Sequence, residues 1–289
     1  MNRVKIVYGK VLIFWRAERA RLNGQGLMDI VKDNFEKGKE MDKRSEEIMK
    51  NYKKMCIGVD ELFRFHCTQC GDCCRNRDDI MLTARDMYNM SKALGLTPEE
   101  TARRYCEAYV GNDSRVPIIR LKPEGDDGHC PLLKDNKCAV HRAKPAVCAM
   151  FPIGRGLSFG MENQEAKEDR LPEMEYIFVD PGCGDGTGTQ TVREWLGTFN
   201  IPLDDPFFRR WNQLVIHMSG IIREIEKDLH EILVRTMWDV AVQFMYLQYD
   251  TRKDFMTQFE RNAAVIRNTL ADFMNKTDQG RPETGGGQE

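Results

Sequence analysis

In HCTQCGDCC three cysteines, Cys67, Cys70 and Cys73, follow one another at intervals of two residues, and Cys74 comes directly after them. Gly71 permits the tight turn that lets their sulfurs converge. Packing alone gives no reason to bring three thiols into one short turn. Neighbouring side chains of an extended chain point to opposite sides, so Cys73 and Cys74 are not expected to bind one ion in the same way. Cys130, Cys138, Cys148 and Cys183 lie farther along in loop-like stretches. Together, Cys67, Cys70, Cys73, Cys74, Cys130, Cys138, Cys148 and Cys183 suffice for two four-thiolate metal sites, or for one site with spares.

The spacing bears on which metal is held. Zinc favours separated C-x2-C pairs, whereas a C-x2-C-x2-C run with a remote cysteine before proline suits a [4Fe-4S] cubane better. Cys130-Pro131 is such a remote cysteine. A [4Fe-4S] cluster is therefore the expected cofactor, with zinc as the alternative. His66, His129 and His141 stand beside or near the cysteines but are expected to be loop residues or hydrogen-bond donors around the site rather than ligands. Cys56 and Cys106 fall on predicted helices among apolar neighbours and read as packed structural thiols.

Composition agrees with an intracellular setting. The chain has 289 residues, 41% of them hydrophobic, enough to build a core without disulfide staples. Its ten cysteines are expected in the cytoplasm, where thiols stay reduced and clusters of them hold metal. The first two dozen residues carry a short apolar run broken by Gly9 and Lys10, with no cleavage-like site, and no stretch is long and apolar enough to span a bilayer. A net charge of −2 offers no basic field for nucleic acid, so a protein partner or protein substrate is expected instead.

The elements that must position these thiols follow from periodicity. Apolar residues between Leu27 and Cys56 fall at helical spacing around the charged KGKEMDKRSEE. Thr83 to Leu94 and Thr97 to Val110 predict two helices joined at Gly95, the second with Thr97 as N-cap, Pro98 first and Glu100 closing a capping box. RVPIIRLK, RGLSFG and EYIFVD predict three short strands, and the Gly-rich DPGCGDGTGTQ reads as a ligand loop. From Pro206, apolar residues recur at three and four through Leu233, and again from Phe255 to Phe273, which predicts a C-terminal helical hairpin with its break near Tyr249 to Arg252. The expected fold is α+β and mainly helical, a small irregular cysteine-rich metal core with short strands. Its parts are an N-terminal strand and helical segment over 1–56, the cysteine-cluster domain over 57–198, helices over 199–275 and a disordered tail over 276–289.

CTQCGDCCR, CPLLKDNKCAVHRAKPAVCAMFP and CGDGTGTQTVREWL together resemble the YkgJ-type CxxCxxCC cysteine-cluster family, described as a zinc- or iron-chelating domain. Cys130-Pro131, Asp135-Asn136, Cys138, Cys148 and Phe151-Pro152 match its order of motifs. Lys144 stands where arginine is usual before Pro145, His141 where tyrosine is common, and Ala149 where arginine often follows the cysteine. The resemblance implies metal binding and, through flagellin lysine methylases with a similar cluster, an S-adenosylmethionine-dependent protein lysine N-methylase activity. The sequence has no Gly-rich strand-to-helix motif for such a cofactor.

Overall fold

The computed structural model describes residues 6–8, 51–77, 80–112, 114–158, 173–227 and 231–280. The chain is α+β with small antiparallel sheets. Strand β1 (Ile6–Tyr8) lies beside β7 (Ile153–Ser158), which also pairs with β8 (Glu173–Phe178). Strand β2 (Leu62–His66) pairs with β9 (Asp185–Thr191), β3 (Cys106–Val110) with β4 (Pro117–Leu121), and β5 (Leu133–Lys134) with β6 (Lys137–Cys138). The helices are α1 (Ala84–Leu94), α2 (Pro98–Tyr105), α3 (Ala146–Met150), α4 (Val192–Gly197), α5 (Pro206–Ile225), α6 (Glu231–Val242) and α7 (Phe255–Gly280).

Local chemistry explains the ends of α1 and α2. Thr83 and Thr97 each accept the third backbone N–H of their helix, and Asp86 and Glu100 reach back to the cap N–H groups, so both starts are full capping boxes. Gly95 closes α1 at φ 67, a left-handed position that glycine takes without steric cost. The second helix stops earlier than its sequence suggests. Tyr105 is its last residue and CEAYV becomes β3, because those five residues find a continuous ladder on PIIRL and are nearly all buried there. Within that ladder Arg120 faces Glu107 and pairs with it at 2.7 Å, both shielded from solvent.

More strands form than the three expected. In β2 the pattern LFRFH alternates exposed and buried residues, sending Phe63 and Phe65 inward. Its partner β9 is the supposed Gly-rich loop. A Cβ on Gly184 would stand 2.5 Å from the His66 carbonyl oxygen, and one on Gly188 would stand 2.8 Å from that of Phe65. These glycines serve close strand approach across an irregular register between Arg64 and His66.

Two cores result. The larger joins α1, α2, β3 and β4 to α5, α6 and α7 around Met87, Ile119, Trp211, Met218, Trp238 and Phe259. The smaller gathers Phe63, Phe65, Met150, Phe151, Ile153, Tyr176, Val192 and Leu196. The C-terminal helices therefore cover the region before them rather than standing apart. The predicted hairpin is three helices: α5 ends at Ile225, and α6 runs into a wider helical turn over Gln243–Leu247 before α7. Helix α7 reaches Gly280, into the tail expected to be disordered. Of the helix predicted between Leu27 and Cys56, 51–55 are helical, Cys56 forms an isolated antiparallel bridge with Ile177, and 27–50 lie outside the described residues. Among the described residues no helix is long and apolar enough to cross a membrane.

At the junction of the cores, Asp205 caps α5 by accepting the Phe207 N–H and pairs with both Arg85 and Arg155. Arg155 and Asp205 are each 1% exposed. The Arg155 guanidinium also lies 4.1 Å from the Phe208 ring centroid.

Candidate metal centre

Three chain segments bring thiols to one place. The first leaves β2 at His66 and turns through Gln69 and Gly71, both at positive φ, into a 3-10 turn over Asp72–Cys74. The Cys74 N–H donates to the Gly71 carbonyl at 2.9 Å and the Arg75 N–H to that of Asp72 at 3.1 Å. Successive residues of a 3-10 turn differ by about 120° rather than the 180° of extended chain. Cys73 and Cys74 consequently share a side, with sulfurs 3.9 Å apart, contrary to the divergence expected of neighbours.

The second segment carries Cys130 and Cys138. The Cys130 N–H donates to the Cys74 carbonyl at 2.8 Å, which ties it directly to the first. The chain then forms the hairpin of β5 and β6, turning at Asp135 and Asn136, whose φ values of 49° and 59° are those of a type I′ turn. The third segment is α3, which holds Cys148. Its first N–H, that of Ala146, donates to Asp86 Oδ1 at 2.8 Å, so the capping carboxylate of α1 also anchors α3.

Cys67, Cys73, Cys74, Cys130, Cys138 and Cys148 line a single cavity of about 80 Å³. That is several times the roughly 10–15 Å³ needed by one water. Much of the remaining wall is apolar, from Leu121, Leu132, Val140 and Phe151, while three cations, Arg77, Lys137 and Lys144, line the same space with His141 and the polar Gln69 and Asn136. The cavity lies at the seam of the two cores: Cys130, Cys138 and Cys148 pack against the larger, Cys67 and Cys73 against the smaller.

Four of these thiols, Cys74, Cys130, Cys138 and Cys148, are poor anions by themselves. The hydrogen bond with Cys73 and then burial push the Cys74 thiol well up. Burial raises Cys130 to about 11 and pushes up Cys138 and Cys148. The charge of Arg77 works the other way at Cys130 and Cys148. Arg77 is held in place by donating to the Cys73 carbonyl at 2.9 Å. A cation among these sulfurs would relieve their mutual repulsion, and soft thiolates select zinc or iron over hard oxygen-loving ions. The donor set fits such a metal, although among the described residues no three Cys, His, Asp or Glu side chains already surround a single point at coordinating distance.

The other candidates are placed differently. Cys70 is exposed and Cys183 half-buried against the smaller core, and neither lines the cavity. Cys183 precedes β9, across from the residues that follow β2, which keeps it near Cys67. Cys106 is buried, though in β3 rather than on a helix, and Cys56 is exposed beside Ile177 with its thiol on the Tyr52 carbonyl. His66 meets Asp185 at 3.3 Å and His129 meets Asp127 at 2.7 Å, outside the cavity; His141 does line it. Burial and the charges of Lys144 and Arg142 hold the His141 imidazole below its ordinary range. Arg75 and Arg77 were not among the expected site residues. Their signal was their place directly behind the CxxCxxCC run.

Residues 66–171 match the CxxCxxCC family, described as "Putative zinc- or iron-chelating domain". No curated protein and no solved structure matches the chain significantly. The family match supports metal binding, and its span includes all six thiols of the cavity.

Proposed function

We propose that this chain, with its CxxCxxCC chelating domain, is a metalloprotein whose centre is held by thiolates of the cavity at the seam of its two cores. The observation that carries the reading is the convergence of six cysteines from three separate segments on one space. Cys67, Cys73, Cys74, Cys130, Cys138 and Cys148 are the candidate ligands. Arg77 and Lys144 offset the negative charge that four thiolates bring to a divalent centre. The apolar wall limits water, and His141 stands at the rim.

A [4Fe-4S] cluster is the first reading. The cavity has room for more than one ion, and its thiols come from three separate segments. Such a cluster supplies one-electron chemistry when bound. Zinc is the second reading, favoured by Cys73 and Cys74. Their 3.9 Å sulfur separation is close to the ~3.8 Å edge of a tetrahedron with Zn–S bonds of about 2.3 Å. Zinc here would be structural and would leave function to bound proteins.

Purification without oxygen, followed by iron, sulfide and zinc analysis and a visible spectrum, tests both. About four irons and four sulfides per chain, with broad thiolate-to-iron absorption, establishes the cluster. Stoichiometric zinc without sulfide establishes the second reading. A chain that takes up neither metal overturns the proposal.

A further inference from the structure

We infer that Arg75 is a positioning residue that fixes the spacing of the thiol-bearing segments through a forked clamp; the inference rests on the thiolate centre proposed above. Arg75 follows Cys74 directly. Its Nη1 donates to Asp127 Oδ2 at 2.8 Å, three residues before Cys130. Its Nη2 donates to Asn136 Oδ1 at 2.6 Å, two residues before Cys138. One rigid planar group thus spans from the first segment to two separate points of the second. A flexible ammonium with a single charge centre has no equivalent reach.

The backbone beneath the clamp supports the same alignment. The Asn76 N–H donates to the Asp127 carbonyl at 2.9 Å, beside the Cys130-to-Cys74 bond. Asn136 sits at φ 59 in the β5–β6 turn, and its carbonyl oxygen lies 3.4 Å from where a Cβ on Gly71 would be. Swinging the hairpin away therefore breaks the Arg75 fork and opens the contact with the Gly71 turn together. An isolated surface ion pair contributes little to stability. Here each arm of the fork fixes a different loop, so its effect belongs to the geometry of the site. Outer-shell groups of this kind alter metal affinity by about 10- to 100-fold when removed.

The test compares wild type, Arg75→Gln, Arg75→Lys and Asn136→Ala in the full chain. Metal release to a chromogenic chelator and hydrogen exchange over residues 127–138 in the metal-free protein are both measured. The clamp predicts release about 10- to 100-fold faster in Arg75→Gln. It also predicts no rescue by Arg75→Lys, a smaller effect in Asn136→Ala, and faster exchange in 127–138 while the C-terminal helices keep their protection. Full rescue by lysine, or unchanged release and exchange in Arg75→Gln, overturns it. A wild type that holds no zinc or iron defeats the metal proposal instead. The exchange comparison then decides the clamp by itself, and Asn136→Ala does so if Arg75→Gln fails to fold.

Discussion

The N–H of Cys130 donates to the carbonyl of Cys74 at 2.8 Å, so residues 56 positions apart in sequence meet main chain to main chain and place their thiols on the same cavity. Alignment of this kind survives a change of side chain. Loss of a thiol should therefore be felt at the metal before it is felt in the fold.

Serine in place of Cys73, Cys130 or Cys148 is expected to lower bound metal severely, because each thiol lines the cavity. Cys56→Ser, on the exposed side of the molecule, should leave metal content at the wild-type value. Metal analysis of the purified variants checks this. Equal loss in Cys56→Ser would remove the cavity's claim to be the site.

Asp86 serves two helices, and Asp86→Ala removes both contacts. The α1 cap is worth about 0.5–2 kcal/mol, and the freed Ala146 N–H, if left without a partner, adds about 1–3 kcal/mol. Urea unfolding should show a fall of roughly 1.5–5 kcal/mol from these combined effects. Asp86→Asn should fall between Ala and wild type, since its amide oxygen can still accept.

Asp205 gives the chain an acid-sensitive joint. Burial alone would push its carboxyl up, but the hydrogen bond and charge of Arg85, with the charge of Arg155, outweigh burial and hold it below the usual carboxylate range. A depressed carboxylate contributes stability above the unfolded value of about 3.9, and that contribution is lost as pH falls through the lower folded value. Thermal unfolding between pH 3 and pH 6 should show this loss at the acid end. Asp205→Ala should flatten that part of the profile and destabilise by about 3–5 kcal/mol, because it leaves Arg155 charged and buried.

Gly184 stands at φ +71 with the His66 carbonyl where a Cβ would go. Gly184→Ala is expected to cost at least about 1–3 kcal/mol from backbone strain, with the clash added. Gly186→Ala, with nothing within 4 Å of its Cβ position, should be mild. Comparative melting of the two variants tests whether β2 and β9 hold the smaller core together.

Much of the cavity's lining could be read from residue types alone, since clustered cysteines with glycine between them leave few other purposes. Six of the eight named thiols reach one cavity. The capping box at Thr97 was visible for the same local reason: three residues determine it. What escaped depended on distant partners. The CEAYV stretch continues a helical pattern and becomes strand only because PIIRL lies beside it. DGTGTQT carries the composition of a loop and becomes β9 because Phe65 and His66 need a neighbour with no side chain in the way. The position of Cys73 relative to Cys74 turned on a 3-10 turn that no spacing rule announces.

The pairing of β2 with β9 also closes a long loop of chain that carries the candidate ligands. Gln190 on β9 donates to the Phe65 carbonyl at 2.8 Å across 125 residues of chain, and Cys67, Cys73, Cys74, Cys130, Cys138 and Cys148 all lie within that span. Every candidate ligand is thus synthesised before the strand that closes the smaller core exists. Contacts of such long sequence separation form late. Until β2 and β9 meet, all six cavity-lining cysteines sit on an open length of chain, and the pairing of the two strands turns that length into a closed loop.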